Sequence, residues 1–462
     1  MTTALALVAS LAGAQDTIVA LGTATGRSAI AVTRISGPRA FELASVLVSP
    51  WPIDARRVTL CRICDESKQT IDHGLVTAFP GPDSFSGEDT VELSTHGGNY
   101  VATRLISALM ALGARQAKAG EFMRRAVLNG KLDITQAEAI GDLIDARSES
   151  MHRTALGQLD GGLRRRIELL RGQLLSLAAM IAYDIDFPEE DDGPVSREHI
   201  GREAEKVILS LNELLATIPA GELIREGAVV VIAGEPNVGK SSLFNALLGQ
   251  SRAIVAEIPG TTRDAIEGFI ETSRWPLRLV DTAGIRETSD KVELMGIEVS
   301  ETYLKRAHVI LACGDSQESI GRTLDILDGK SSVRTLHVRT KVDLSATEGS
   351  ETSVRLGAIR VSAETGTGLK ALLGEIDDVL SETVGSAIAQ TPILTRVRHI
   401  RAIERARDEL TMFDEVWGTK KLPAPVAAVH LQAASAALES LIGVVSTDDV
   451  LDRVFSSFCV GK

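Results

Sequence analysis

Residues 234–241, with the sequence GEPNVGKS, constrain the fold of this chain more than any other feature, because they fit the spacing G-x-x-x-x-G-K-[ST]. The apolar run at residues 228–233 predicts a buried strand before them, and residues 242–248 predict a helix after them. Glycines at both ends let successive backbone N–H groups point at one phosphate, and the helix dipole adds to the attraction. We therefore predict a phosphate-binding P-loop in which Lys240 contacts the outer phosphates and Ser241 binds Mg²⁺.

Two further motifs follow in the order expected of a GTPase. Residues 260–264 (GTTRD) place a threonine where it can complete the coordination of Mg²⁺. A predicted strand ends in residues 281–284 (DTAG), where Asp281 can hold the Mg²⁺ shell and the Gly284 N–H can contact the γ-phosphate. The next residue is Ile285, which cannot orient a water molecule. The candidates for that role are Arg286, Glu287, Asp290 and Glu293.

The last two motifs select the base. In residues 340–343 (TKVD), the Asp343 carboxylate can accept hydrogen bonds from the N1–H and N2–H₂ edge of guanine, which adenine lacks. The aliphatic part of Lys341 can lie over the ring, and Ser362 and Ala363 would close over the base. These motifs resemble the translation-factor-related P-loop GTPases. That class has asparagine where this chain has Thr340, and the asparagine usually connects the base loop to the P-loop, so guanine affinity is expected to be weaker.

The composition is that of an ordinary globular protein. Of its residues, 44% are hydrophobic and 24% are charged. The length of 462 residues suggests two to four domains. With a net charge of −13, contacts with nucleic acid would need local basic patches, and 3% aromatic residues argue against a base-stacking RNA-recognition sheet. The apolar residues 4–14 are too few to span a bilayer and follow no cationic residue, so we expect a cytoplasmic protein without a membrane segment.

The chain has three zones. Residues 1–129 mix short β-like runs with turns and predict a small α+β domain. Residues 130–221 and 391–462 are helical, and residues 222–384 alternate strands and helices around the P-loop. We predict a multidomain α/β protein in which a Ras-like P-loop G domain is inserted into an all-α helical domain. A separate C-terminal helical domain is the alternative.

Two patterns define the first helical zone in more detail. Apolar residues recur every three or four positions from Leu156 to Ile181 and predict one sustained helix face. A second helical pattern continues to Ile218, where residues 219–221 (PAG) predict its end.

Segments across the whole chain carry a more specific resemblance. Together they resemble the MnmE (TrmE) family of tRNA-modification GTPases, from about Asp16 to Lys462. The segments are 16–20 (DTIVA), 34–38 (RISGP), 86–89 (SGED), 95–98 (THGG), 120–122 (GEF), 128–133 (LNGKLD), 136–140 (QAEAI), 185–189 (IDFPE), 260–264 (GTTRD) and 455–462 (FSSFCVGK).

The resemblance implies an activity and partners. Members work with the flavin (FAD) partner MnmG (GidA) and build a carboxymethylaminomethyl or aminomethyl group on C5 of the wobble uridine in the tRNA anticodon stem-loop. A homodimer that joins MnmG in a heterotetramer or larger assembly is implied. The one-carbon unit comes from 5,10-methylene- or 5-formyl-tetrahydrofolate bound by the N-terminal α+β domain. The residues implied for folate binding are Arg34, Glu92, Lys131 and Lys462.

The resemblance also implies how GTP is cleaved. K⁺ takes the place of an arginine finger when two G domains pair, and Glu293 acts as the catalytic acid through water. Cys459 is implied for tRNA modification, in a nucleophilic or positional role. The implied K⁺ ligands are Asn237, Ala256, Ile258 and Thr261, and the Mg²⁺ ligands are Ser241 and Thr262. The full set of GTP contacts is Asn237, Val238, Gly239, Lys240, Ser241, Ser242, Ala256, Glu257, Ile258, Pro259, Gly260, Thr261, Thr262, Asp281, Thr282, Ala283, Gly284, Lys341, Asp343, Ser362 and Ala363.

Two alternatives to this function are open at this point. A regulatory GTPase for ribosome assembly would carry a basic RNA-binding appendage with a G-x-x-G loop after the G domain, whereas this chain has a mostly apolar helical region there. A folate-carrier protein with an idle G domain is less consistent with the intact P-loop and Asp281. For tRNA, the arginines at 164–166 and at 396, 398, 401, 405 and 407 are the candidate phosphate contacts.

Overall fold

The computed structural model describes residues 16–186, 195–250, 266–272, 274–281, 303–328, 333–344, 357–384, 392–419 and 423–443, and residues 454, 455, 458 and 461. The chain divides into two compact units. The first contains the residues up to Gly141 together with those from Glu439 onward, and the second contains Asp142–Leu438.

The first unit is an α+β domain, as the sequence predicts. Its strands are β1 (Ile18–Leu21), β2 (Ile30–Ser36), β3 (Val48–Ser49), β4 (Thr59–Cys64), β5 (Thr70–Phe79), β6 (Thr90–His96) and β7 (Arg115–Gln116), and its helices are α1 (Ala40–Leu47), α2 (Asn99–Ala111), α3 (Glu121–Leu128) and α4 (Ile134–Asp145), the last of which continues into the second unit. The strands form one sheet in the order β3-β4-β5-β6-β2-β1-β7, antiparallel except between β1 and β7. One face is buried because apolar side chains alternate along the strands and pack against α1 and α2.

The described residues near the end of the sequence belong to this first unit. Phe455 is buried with Met123, Ile134 and Ala137, and Phe458 packs against the same cluster. A Cβ atom on Gly461 would lie 2.1 Å from the carbonyl oxygen of Leu21, and its φ is +102°, so glycine is required there. Gly461 therefore packs against the N-terminal sheet at the end of β1.

The second unit combines a helical part with an inserted α/β part. In chain order its elements are α5 (Glu149–Leu159), α6 (Gly162–Asp186), α7 (Arg197–Leu215), α8 (Ile218–Glu226), β8 (Ala228–Gly234), α9 (Lys240–Gln250), β9 (Ile266–Glu271), β10 (Pro276–Asp281), β11 (Val309–Gly314), α10 (Gln317–Leu327), β12 (Thr335–Arg339), β13 (Ile359–Arg360), α11 (Leu369–Val384), α12 (Val397–Thr419) and α13 (Ala424–Ile442), which extends into the first unit. The strands form a sheet in the order β13-β12-β11-β8-β10-β9, in which only β9 is antiparallel to its neighbour.

Two details of the predicted helices are wrong. The apolar face from Leu156 is not on one helix, because the chain breaks between α5 and α6 at Gly161, whose φ is +78°. Leu156 is exposed. The buried face of α6 consists of the remaining periodic residues within that helix, which are Leu163, Ile167, Leu170, Leu174, Leu177 and Ile181. Pro219 does not end a helix but lies in the first turn of α8, where its missing N–H costs no hydrogen bond.

The entry and exit of the inserted part lie in direct contact. We call residues 217–227 and 393–396 the crossing segments. The Leu394 N–H donates to Thr217 Oγ1 (3.1 Å), and Gln158 Nε2 donates to the Ile393 carbonyl (3.1 Å). A Cβ atom on Gly221 would lie 1.8 Å from the Leu394 carbonyl oxygen, so the two segments approach as closely as backbones can.

Two helical stretches among the described residues are long and apolar enough to cross a membrane by length and composition alone, contrary to the expectation of no such segment. They are Arg197–Glu226 and Ala424–Ile442, with mean hydropathies of 1.5 and 1.2, and 50% and 33% of their apolar windows are buried. The first is two helices: α7 contributes Ile200, Val207 and Leu211 to the buried residues, and α8 contributes Leu223 and Ile224. Core helices pass the same test, so the finding is weak evidence for a membrane.

His308, which precedes β11, forms two hydrogen bonds with Val229 on β8, one through its backbone and one through its side chain. Its backbone N–H donates to the Val229 carbonyl (2.8 Å), and its Nδ1 accepts from the Val229 N–H (3.0 Å). Burial lowers the pKa of His308 below its ordinary value of 6.5, and the charges of Glu222 and Glu226 offset this only in part. The ring is therefore neutral in the folded protein near neutral pH.

We predict that His308 makes stability fall on acidification. Because the unfolded chain binds this proton at a higher pH than the folded chain, the stabilisation is complete above pH 6.5 and is lost as the pH falls from there towards the folded-state pKa. His308→Asn keeps an acceptor near Nδ1 without titrating. Urea unfolding between about pH 7.5 and 5.5 should show a shallower loss of unfolding free energy for this variant than for the wild type. The exposed His152→Asn is the control, and parallel curves for all three proteins would contradict the prediction.

Candidate functional site

The P-loop follows the central strand of the six-stranded sheet. β8 pairs with β10 on one side and β11 on the other, and α9 begins at Lys240. The loop contains two residues in the left-handed region, Asn237 (φ +63°) and Gly239 (φ +94°). A non-glycine residue rarely adopts this conformation, and such residues concentrate at ligand sites. Lys240 is buried, and its Nζ donates to the Glu235 carbonyl of the same loop (2.7 Å).

Two residues predicted to bind or support Mg²⁺, Ser241 and Asp281, lie at the same edge of the sheet. β10 runs parallel to β8 with Asp281 opposite Ile232, so this buried carboxylate lies beside the strand that leads into the P-loop. Ser241 is exposed in the first turn of α9. A serine hydroxyl and a carboxylate are the hard oxygen donors that Mg²⁺ prefers, and the donor set therefore fits this ion.

The base loop approaches the P-loop from the other side. Residues 340–343 follow β12, and two adjacent side chains of this loop bond two adjacent P-loop carbonyls. Thr340 Oγ1 donates to the Val238 carbonyl (2.5 Å), and Lys341 Nζ donates to the Asn237 carbonyl (2.6 Å). Lys341 has a φ of +55°, so both loops hold a non-glycine residue in the left-handed region. The distance between the phosphate and base subsites is thus fixed by side-chain contacts.

The structure also places the two predicted base-closing residues near this loop. Val342 donates its N–H to the Val361 carbonyl (3.4 Å), which brings the following residues, Ser362 and Ala363, beside the base loop. Ser362 is fully buried, and its Oγ accepts from the Thr365 N–H (3.2 Å). Asp343 is exposed in a single 3₁₀ turn, free of the sheet, where it can meet a ligand.

The remaining predicted contacts of GTP, K⁺ and folate lie outside the described residues and stay predictions. They are Ala256, Glu257, Ile258, Pro259, Gly260, Thr261, Thr262, Thr282, Ala283, Gly284, Glu293, Cys459 and Lys462.

In the first unit the structure brings three of the four predicted folate residues, Arg34, Glu92 and Lys131, to one surface. Arg34 on β2 lies opposite Glu92 on β6, and its Nε and Nη2 donate to Glu92 Oε1 at 2.9 and 2.7 Å. The guanidinium also lies 5.5 Å from the ring centre of Phe85 and 5.6 Å from that of Phe122. The sequence treats Arg34 and Glu92 as separate ligand contacts, whereas in the structure they form one ion pair held by two aromatic rings.

Lys131 lies beside the same loop that carries Phe85. Its Cγ is 3.3 Å from where a Cβ atom on Gly87 would lie, and its Nζ is 4.0 Å from Asp83 Oδ1. The loop itself is fixed from both sides, because Gly81 donates its N–H to Asp89 Oδ1 (2.9 Å) and Asn129 Nδ2 donates to the Ser86 carbonyl (2.7 Å). The surface is therefore rigid before any ligand arrives.

A buried charge cluster that the sequence analysis missed supports this surface. Arg125 is 5% exposed and bonds three carboxylates, those of Asp16 (2.6 Å), Glu88 (3.1 Å) and Glu121 (3.1 Å). Burial would raise the pKa of Asp16, but hydrogen bonds from Arg115 and Arg125 outweigh it and lower that pKa below its ordinary value. The only local signal was the spacing of Glu121 and Arg125, four residues apart on α3.

Four of the eight arginines considered for tRNA contact, Arg164, Arg166, Arg396 and Arg407, form ion pairs within the protein. Arg164 Nε lies 2.8 Å from Glu168, Arg166 Nη2 lies 2.9 Å from Glu213, and Arg396 Nη2 lies 2.6 Å from Asp142. Exposed pairs of this kind contribute little energy and exchange readily, so they do not prevent phosphate binding. They do make helix position alone a poor guide to the tRNA surface.

A cavity of about 690 Å³ lies at the crossing segments, remote from the P-loop residues. Both segments line it, together with parts of α4, α5, β9 and β10. Its walls carry carboxylates and guanidinium groups in similar number, including the Asp142–Arg396 pair. The charges offset one another, so the cavity shows no preference for an anion or a cation.

A P-loop, a strand-end aspartate and a base loop at one edge of a mostly parallel sheet define a P-loop GTPase, an enzyme that hydrolyses GTP with Mg²⁺. The profile of the GTP-binding protein TrmE N-terminus matches residues 17–131, and that of the MnmE helical domain matches residues 134–459. The chain belongs to the MnmE family of tRNA modification GTPases.

Individual relatives agree over nearly the whole length. A tRNA modification GTPase MnmE from Aquifex aeolicus (strain VF5) is 40% identical over 451 residues, which cover 97% of this chain and 100% of that protein. One from Maricaulis maris (strain MCS10) is 40% identical over 448 residues, 96% of this chain and 99% of that protein. Among solved structures, the G domain of the T. maritima FeoB iron transporter is 26% identical, with a TM-score of 0.27, and covers 33% of this chain and 99% of that chain.

We predict that Asp343 recognises guanine. Asp343→Asn should shift preference from GTP towards xanthosine triphosphate, because an amide can donate to the C2 carbonyl of xanthine but cannot accept both guanine N–H groups. Titration calorimetry with both nucleotides measures the change. The control is Asp378→Asn, because Asp378 is an exposed residue of α11 that pairs with Arg274. This variant should keep the preference for GTP. An unchanged preference in Asp343→Asn would refute the assignment.

Proposed function

We propose that the enzyme couples GTP hydrolysis to a one-carbon transfer that modifies C5 of the wobble uridine in the tRNA anticodon stem-loop. It acts with the FAD-containing partner MnmG in a heterotetramer or larger assembly and adds a carboxymethylaminomethyl or aminomethyl group. The observation that carries the proposal is the rigid Arg34–Glu92 surface in the same chain as a GTPase site. The family membership supports the tRNA substrate, and a tRNA substrate is consistent with a cytoplasmic enzyme.

The one-carbon donor is a tetrahydrofolate, either the 5,10-methylene or the 5-formyl form. Glu92 is half-buried, and a carboxylate in that position can accept hydrogen bonds from the amino and ring N–H groups of a pterin. Arg34 holds that carboxylate in place, and Lys131 can pair with the glutamate-tail carboxylate of the ligand. The ligand supplies the carbon unit, and these residues bind and orient it.

The tail residues Cys459 and Lys462 complete the same surface in this proposal. Gly461 contacts Leu21 on β1, and Ala20 on that strand lies opposite Arg34. This position of Gly461, next to the strand that pairs with the Arg34 strand, supports the assignment of the tail to folate binding. The Cys459 thiol then serves the uridine modification rather than GTP hydrolysis, whether as nucleophile or by position.

For GTP hydrolysis, Asn237 contributes a side-chain ligand to a K⁺ ion, with Ala256, Ile258 and Thr261 as further ligands. Asn237 has a left-handed backbone conformation, and its side chain is exposed to solvent. Ser241 and Thr262 hold Mg²⁺, and Glu293 acts as the catalytic acid through water. The cation offsets negative charge that develops on the phosphates.

A homodimer would form through the exposed face of the N-terminal sheet. Leu60 on β4 lies opposite Leu75 on β5, Leu75 opposite Ser94 on β6, and Ser94 opposite Val32 on β2. Leu60 is 68% exposed and Leu75 45%, so the row presents apolar surface across the middle of the sheet. In the proposed domain organisation, residues 1–129 bind folate and dimerise, 130–221 and 391–462 form the helical domain, and 222–384 form the G domain.

We predict that wobble-uridine modification requires both sites. In cells lacking this gene, mass spectrometry of tRNA nucleosides should show loss of the C5-substituted uridine. The wild-type gene should restore it, whereas Lys240→Ala should fail because phosphate binding is lost, and Glu92→Gln because pterin recognition is lost. Glu42→Gln, which alters an exposed partner of Arg39 in the same domain, is the control and should restore the product. Full restoration by Glu92→Gln would contradict the folate assignment.

We also predict that hydrolysis depends on the monovalent cation. Steady-state GTP hydrolysis by the full-length protein should be at least about tenfold faster in KCl than in NaCl at equal ionic strength, because losing a charge-stabilising group at the phosphates costs a factor of that order or more. Asn237→Ala should abolish the difference, whereas Asn245→Ala, at an exposed position on α9, should keep it. Equal rates in the two salts would refute the potassium proposal and leave the GTPase assignment intact.

A further inference from the structure

Thr340 occupies the position where related GTPases have asparagine, and the structure surrounds it with carbonyl groups. It is buried, its backbone N–H donates to the Gly314 carbonyl (2.9 Å), and its Oγ1 lies 3.2 Å from that same carbonyl and 2.5 Å from that of Val238. Val238 belongs to the P-loop, and Gly314 ends the neighbouring strand β11. The side chain is therefore placed between the P-loop and the end of β11.

A hydroxyl has one proton and can donate only one strong hydrogen bond. The Gly314 carbonyl already accepts from the Thr340 backbone, whereas the Val238 carbonyl is the nearer side-chain acceptor. The hydroxyl proton therefore goes to Val238. We propose that Thr340 is a positioning residue that sets the base loop against the P-loop through this single bond, so that guanine recognition by Asp343 depends on it.

The neighbouring contact cannot replace this bond. Lys341 also donates to the P-loop, at the Asn237 carbonyl, but it does so from a solvent-exposed ammonium group that can bond to water equally well. The Thr340 bond is buried, so losing it leaves the Val238 carbonyl without that donor inside the protein. A loss of this kind corresponds to about a 5- to 30-fold change in an equilibrium constant.

The test compares full-length wild type with Thr340→Val and Thr340→Ser, using the dissociation constants of GDP and IDP from titration calorimetry. IDP lacks the exocyclic amino group of guanine, so it loses less than GDP when Asp343 is displaced. We expect Thr340→Val to bind GDP about 5- to 30-fold more weakly and to lose less affinity for IDP. The dissociation constant of IDP divided by that of GDP should therefore fall towards one. Thr340→Ser retains the hydroxyl and should stay within about twofold of wild type.

The ratio of two dissociation constants measured on one sample does not depend on the folded fraction, so a loss of stability in Thr340→Val cannot mimic the expected result. Thr323→Val is the matched control, because its buried hydroxyl contacts the Cys313 and Ser319 carbonyls (3.3 and 3.0 Å), which lie outside both loops. It should keep the wild-type ratio.

Three outcomes would overturn the inference. Thr340→Val could bind GDP as wild type does, it could lose GDP and IDP affinity equally, or Thr340→Ser could behave like the valine variant. The inference rests on Asp343 as the base-recognising residue. A wild type that binds GDP and IDP equally would refute that assignment and the inference with it, whereas the three outcomes above refute the role of Thr340 alone.

Discussion

Parallel hydrogen bonding between β8 and its two neighbours, β10 and β11, determines the geometry of the nucleotide site. Because parallel strands end at a common edge, the P-loop, Asp281 and the base loop meet there although they are distant in sequence. The strands are apolar almost throughout, as expected for a sheet covered on both faces. Burial of this sheet thus positions the P-loop, Asp281 and the base loop at one edge. The side-chain hydrogen bonds from Thr340 and Lys341 then fix the base loop relative to the P-loop.

Much of this site could be predicted from sequence, since each GTPase motif is a short local pattern next to a predictable strand. The strand before the P-loop appears within one residue of its predicted bounds, and the predicted strand that leads into Asp281 is present as β10. The bond from Thr340 to Val238 could not be predicted, because it joins residues 102 positions apart through one side-chain distance. The presence of threonine instead of asparagine suggested that the contact between the base loop and the P-loop is weakened. The structure retains this contact as a single hydrogen bond from the Thr340 hydroxyl.

The N-terminal unit shows the opposite balance between local pattern and long-range contact. Its short strands agree with the predicted α+β domain, but the buried cluster around Arg125 brings together residues up to 109 positions apart. A single arginine on a helix predicts a solvated surface, so only the folded chain reveals that Asp16, Glu88 and Glu121 enclose it. The errors in the helical zone were local: consecutive glycines at 161 and 162 marked a break, and Pro219 suits the start of a helix as well as its end.

The contact between the crossing segments has a consequence for the order in which the second unit assembles. Thr217 and Leu394 are 177 positions apart, and Gln158 and Ile393 are 235 apart. Closing such a loop in an unstructured chain costs conformational entropy that grows with the logarithm of its length. Once the inserted part has formed, the loop still to be closed is reduced to the residues between Thr217 and the start of β8 and those between the end of α11 and Leu394. Prior folding of the nucleotide-binding part therefore lowers the entropic barrier to completing the helical bundle around it.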